Sequence, residues 1–102
     1  MEYQLILQWP ASSIKDYDTM IEIEEAVIKG LGTLGNVDGH DAGSGEMNIF
    51  IFTDHPQLAF DRIKSLLGTR DFMPDLKAAY RQTGTDDFAI VYPDDLAQFS
   101  IA

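Results

Sequence analysis

The run Gly39-His40-Asp41-Ala42-Gly43-Ser44-Gly45-Glu46-Met47-Asn48-Ile49-Phe50-Ile51-Phe52 decides the architecture. Its second half, Met47 to Phe52, is uncharged and rich in β-branched and aromatic residues, the strongest strand signal in the chain. Met47, Ile49 and Ile51 take one face of that strand; Phe50 and Phe52, with Asn48, take the other. Two apolar faces place it in the interior of a sheet. Gly43-Ser44-Gly45 is the natural reversal before it, since glycine accepts the positive φ that hairpin turns need. The strand leading into the reversal, Leu34 to Ala42, is weaker, with Val37 its best apolar residue. Along an unbroken extended chain Asp38 and His40 share one face, and Val37, Gly39 and Asp41 the other.

Working outward, Tyr3 to Trp9 alternates with period two, Tyr3, Leu5, Leu7 and Trp9 against Gln4, Ile6 and Gln8, and Pro10 stops the strand. Asp16 or Asp18 can cap a following helix. Its apolar stripe is Tyr17, Met20, Ile21, Val27, Ile28 and Leu31, widened by Ile23 and Ala26, with Glu22 and Glu25 facing outward. Gly30 and Gly32 are the expected stop. Beyond the hairpin, Asp54 can cap a second helix, with Gln57 able to reach back and Pro56 in its first turn. Pro56, Ala59, Phe60, Ile63, Leu66 and Leu67 form its stripe, and Gly68 is its expected end. After an apolar loop segment, Phe72-Met73-Pro74, two strands follow at Leu76–Arg81 and Phe88–Tyr92. An amphipathic tail carrying Leu96, Phe99 and Ile101 closes the chain.

The predicted order is β-α-β-β-α-β-β. Two helices, each with one apolar stripe, interleaved with antiparallel strands make an α+β two-layer sandwich over residues 1–102, expected as one domain. The topology that fits best is a ferredoxin-like β-α-β-β-α-β core with an added C-terminal strand; the alternative is a related sandwich with another strand order.

Composition narrows the function classes. At 102 residues and 45% hydrophobic content the chain can bury one ordinary core. The absence of cysteine removes disulfides, thiolate metal sites and thiol nucleophiles. Met1 to Trp9 lacks the basic-then-apolar layout of a secretory signal, and no run approaches membrane-spanning length, so the cytoplasm is the expected setting. The formal net charge of −10 opposes binding to nucleic acid, which depends on neutralising phosphates. Glu22, Glu24 and Glu25 instead form an acidic helix face suited to a basic protein partner.

The segment from Asp38 to Glu46 concentrates the chemistry-bearing side chains: Asp38, His40, Asp41, Ser44 and Glu46. A phosphate cradle would want a lysine and a following helix; here acids and a strand flank the glycines. The carboxylates and imidazole are suitable divalent-metal ligands but match no ligand spacing, so the metal stays unknown. Ser44 with His40 and an acid has the residue types of a hydrolytic triad, crowded onto one short loop where triads assemble from separated elements. The remaining reading is a structural hairpin whose polar groups cap turns. Gly39 through Asp54 also resembles a pattern in small bacterial proteins of unassigned role, over less than a fifth of the chain. That resemblance implies no activity and no site residues.

The leading expectation is therefore a non-catalytic, acidic cytoplasmic binding or regulatory domain, of an immunity or regulatory kind, that meets a protein partner and needs no cofactor or membrane. A homodimer is compatible with it. The alternative is a small-ligand or divalent-metal-binding domain, or an enzyme, using the Gly39–Glu46 loop. Convergence of the side chains from Asp38 to Glu46 in a concave pocket would favour the alternative.

Overall fold

The computed structural model describes residues 2–14, 17–43, 45–69 and 74–101. Its strands are β1 (Tyr3–Pro10), β2 (Gly35–Gly43), β3 (Glu46–Thr53), β4 (Lys77–Gln82) and β5 (Ala89–Tyr92); its α-helices are α1 (Tyr17–Leu31) and α2 (Pro56–Thr69). Short 3-10 turns, Ala11–Ser13 and Gly32–Leu34, flank α1. Three expectations fall outside the described residues: Asp16 as a cap, the side chain of Ser44, and the Phe72-Met73 segment.

The five strands form one sheet in the order β2-β3-β1-β4-β5, every neighbouring pair antiparallel. β1 and β3, the two most apolar strands, are interior. Their register sets Leu5 opposite Ile51 and Leu7 opposite Ile49, while Leu7 also meets Ala78 of β4. These residues build the sheet side of the core. Met20, Ile23, Val27 and Leu31 of α1 and Ala59, Phe60, Ile63 and Leu67 of α2 supply the helix side. Each large side chain buried here is worth about 1.5–3 kcal/mol of transfer free energy. The result is a two-layer α+β sandwich.

The α1 stripe is rotated from the expected one. Tyr17 and Ile28 are 66% and 53% exposed, whereas Ile23 and Ala26 are buried. Glu22 and Glu25 face solvent as expected. Gly30 does not stop the helix; it lies inside α1, where a β-carbon would run into Leu66 Cδ1 of α2. The stop comes at Gly32, whose φ of 53° lies in the left-handed region that glycine adopts without strain. At the start of α2 the Ala59 amide donates to the His55 carbonyl at 2.9 Å, and Thr53 braces the segment just ahead of it. Thr53 Oγ1 accepts from His55 N at 3.0 Å and donates to the Leu34 carbonyl at 2.6 Å. Asp54 accepts from the Glu2 amide across the strand ends.

The second face of the sheet is covered by the chain's own tail. Ile6 and Ala79 lie on this face and are fully buried, although they are not part of the helix-side core. After β5 the chain returns over it: Phe99 packs on Phe88 with ring centroids 5.1 Å apart, and the Ser100 carbonyl accepts from Gln8 Nε2 at 2.9 Å. The same Gln8 nitrogen donates to Asn48 Oδ1, so two buried amides knit β1 and β3 to the tail. Arg81 stacks over Phe88 and pairs with Asp86 at 3.3 Å. The amphipathic tail is thus a strap that lets the interior strands be apolar on both sides.

Candidate functional site

The hairpin β2–β3 is not regular. Val37 pairs with Ile51, but Gly39 pairs with Phe50 and His40 with Ile49, so Asp38 is an extra residue bulged out of the ladder. That single insertion reverses the facing of everything after it. His40 now shares the helix side with Val37, and Asp38 no longer shares a face with His40 as an unbroken strand would require. Asp41 comes opposite Asn48, on the tail side. The bulge is what aims His40 at α1.

There His40 meets an acid from the predicted partner surface. Its Nδ1 lies 2.8 Å from Glu24 Oε2, with 28% of the His40 side chain and 17% of the Glu24 side chain exposed. An ionised carboxylate only accepts hydrogen bonds, so Nδ1 is the donor, and in the neutral ring the lone pair sits on Nε2. The Tyr17 ring stands edge-on to the imidazole, centroids 6.4 Å apart. Glu24 thus fixes both the orientation and the tautomer of His40.

His40 borders a cleft of about 570 Å³ at one end of the sandwich. It is lined mostly by apolar side chains, Ala11, Ile14, Tyr17, Met20, Ala42 and Met47, with His40 on the same helix side; Asp41 and Glu46 also border it, from strand positions that face the tail side. One wall is held in place by backbone: the Ala11 amide donates to the Gly45 carbonyl at 2.9 Å, tying the turn after β1 to the hairpin tip. Ser13 Oγ donates to Asp75 Oδ2 at 2.8 Å and anchors the same turn from the other side. Among the described lining residues there is no lysine or arginine.

Of the five loop residues singled out from the sequence, His40, Asp41 and Glu46 line this cleft. Asp38 is exposed at the bulge and does not line it, and Ser44 falls outside the described residues. Of the three helix acids, Glu24 joins the site through His40, while Glu22 and Glu25 stay on the outer face. Sequence reasoning missed Ile14, Met20 and Met47 as walls, because their spacing marks only burial. The one usable signal was Tyr17, an aromatic at the edge of a helix stripe. Among the described residues, no three His, Asp or Glu side chains come close enough together to hold a metal ion. No described helix is long and apolar enough to cross a membrane.

The cleft volume lies in the range of sites that take a small molecule or a single protruding side chain. Its lining is mostly apolar, with the His40 imidazole at one side. The chain matches no protein-family model, no curated protein and no solved structure in comparisons with each.

Proposed function

We propose that the protein is a non-catalytic, acidic cytoplasmic binding domain of a regulatory or immunity kind, and that it docks a basic protein partner at the end of the sandwich where α1 meets the β2–β3 hairpin. The observation that carries this reading is the 2.8 Å contact between Glu24 and His40. It joins the acidic helix face and the glycine-rich loop, two separate expectations, into one surface around a cleft. The net charge of −10 favours encounter with a positively charged surface and accelerates it at low salt. Tyr17, 66% exposed beside the cleft, is the kind of aromatic that anchors protein interfaces.

We further read the sandwich as ferredoxin-like with β5 added at the β4 edge. What supports this is the interleaving of two β-α-β halves: β3 lies between β1 and β2, and β1 lies between β3 and β4.

The test is capture from native lysate by wild type and by a variant reversing Glu22, Glu24 and Glu25 to lysine. Wild type should retain a basic protein whose association slows as salt rises, and the reversed variant should lose it with its fold intact. Equal capture by both would reject the acidic helix face as the docking surface.

A further inference from the structure

We infer that the sheet face beneath the C-terminal tail is a docking site for the free C-terminus of a protein partner. Gln8 and Asn48 are the side chains that hold its carboxylate, and the chain's own tail is the segment it displaces. This face is the one turned away from His40, so the site is separate from the docking surface proposed above.

One buried donor marks the site. Asn48 is 1% exposed, and its Nδ2 has no hydrogen-bond partner among the described residues. Turning an amide over does not supply one. Gln8 Nε2 donates to the Ser100 carbonyl at 2.9 Å and to Asn48 Oδ1 at 3.0 Å. Reversing either amide, or both, would set oxygen against oxygen or nitrogen against nitrogen. A buried amide nitrogen left unpaired is rare in a folded protein. The tail therefore brings one acceptor to a pair of amides whose donors call for two.

A carboxylate in the place of the Ser100 carbonyl supplies the second. Its two oxygens accept from Gln8 Nε2 and Asn48 Nδ2, and a charged acceptor makes the stronger bonds. Lys77 stands opposite Gln8 in the β1–β4 register, half-buried on the same face, and adds a cation to the row. Two carboxylates oppose an anion here. Asp41, opposite Asn48, is exposed and screened by solvent, and Glu46, one row further, is already engaged.

The tail shows how the rest of such a ligand lies. Phe99 packs on Phe88, so the incoming segment carries an aromatic one residue before its terminal carboxylate. Residues 96–101 form neither helix nor strand, and Ala97, Gln98 and Ser100 are exposed. Such a segment opens locally while the sheet stays folded. A second copy of the chain is the poorer occupant. Its identical tail would leave Asn48 Nδ2 as unfilled as before, and two chains of net charge −10 repel.

The probes are acetyl-Leu-Ala-Gln-Phe-Ser as the free acid and as the carboxamide. Each is titrated into the full chain, wild type and Phe99→Ala, while the side-chain amide signals of Gln8 and Asn48 are followed by NMR. In Phe99→Ala, whose own tail is weakened, the acid should move both signals saturably and bind severalfold tighter than the carboxamide. Wild type should bind the acid more weakly, because its tail competes. Adding Asn48→Leu to Phe99→Ala should bring acid and carboxamide to equal affinity, which a merely structural Asn48 would not do. Equal binding of the two peptides by Phe99→Ala, or no saturable shift of the Asn48 signal, overturns the proposal. If Phe99→Ala does not fold, excess acid on wild type is the test. The Phe99 ring signals should then move toward those of an unanchored tail, and their failure to move overturns it. A dimer that the acid dissociates in sedimentation would give the face to a second copy's tail and overturn it as well.

Discussion

A β-carbon placed on Gly35 would stand 2.8 Å from the carbonyl oxygen of Phe52. Gly35 opens β2 opposite Thr53, and its backbone is extended, so the constraint is one of space rather than of conformation. The neighbours at 3.3 Å, Ile51 Cγ2 and Thr53 Cβ, are themselves locked in the interior strand. Gly35→Ala should therefore push β2 away from β3 and cost about 1–3 kcal/mol, as overpacking does. Gly30→Ala is a useful contrast. Its obstruction is the tip of half-buried Leu66, which can rotate, and alanine gains up to about 1 kcal/mol of helix propensity over glycine. Urea midpoints should put Gly35→Ala clearly below Gly30→Ala; the reverse order would mean that β2 yields more easily than the packing indicates.

Ile51 and Phe60 face each other's layers, 0% and 2% exposed. Replacing either with alanine removes buried surface and leaves a cavity, for an expected loss of about 2–5 kcal/mol. Equilibrium unfolding measures it. Unchanged stability in both variants would take these residues out of the core.

The Glu24–His40 pair should behave differently from the core. A partly exposed pair of this kind contributes about 1 kcal/mol or less. A double-mutant cycle of Glu24→Ala and His40→Ala should thus give a small coupling energy with the fold retained. A loss on the scale of Ile51→Ala would mark the pair as structural and empty the cleft of its proposed role.

The tail should be a stability element despite its irregular backbone. Phe99→Ala removes a partly buried ring from Phe88, for about 1–2 kcal/mol by area. Hydrogen exchange at residues 96–101 should accelerate in the same variant, and faster still with Gln8→Ala, which also frees the Ser100 carbonyl. Identical exchange rates in wild type and both variants would show that the tail is held by something other than these contacts.

The element order, the interior position of β1 and β3 and the apolar stripe of α2 were legible in the sequence, because periodicity of two and of 3.6 is a local property of the chain; the stripe of α1 was legible only in part, since Tyr17 and Ile28 are exposed. So was the concentration of chemistry between Asp38 and Glu46. Element ends were less legible. Asp54, read as the cap of α2, engages the Glu2 amide, and Thr53 bridges Leu34 and His55, contacts that depend on where Leu34 and Glu2 arrive from elsewhere in the fold.

The facing of the hairpin was decided only in three dimensions. A one-residue bulge at Asp38 turns His40 from the tail side to the helix side, and alternation read from sequence carries no sign of an inserted residue. The contact that follows joins residues 16 positions apart on a helix and a strand, and no spacing rule links them. The covering of the second face was settled the same way. The tail's amphipathicity was visible as Leu96, Phe99 and Ile101, but its seat over Gln8 and Asn48 depends on a return path after β5. Local pattern determined which residues seek burial; the packing of distant segments determined which of them meet, because that choice minimises exposed apolar surface over the whole chain at once.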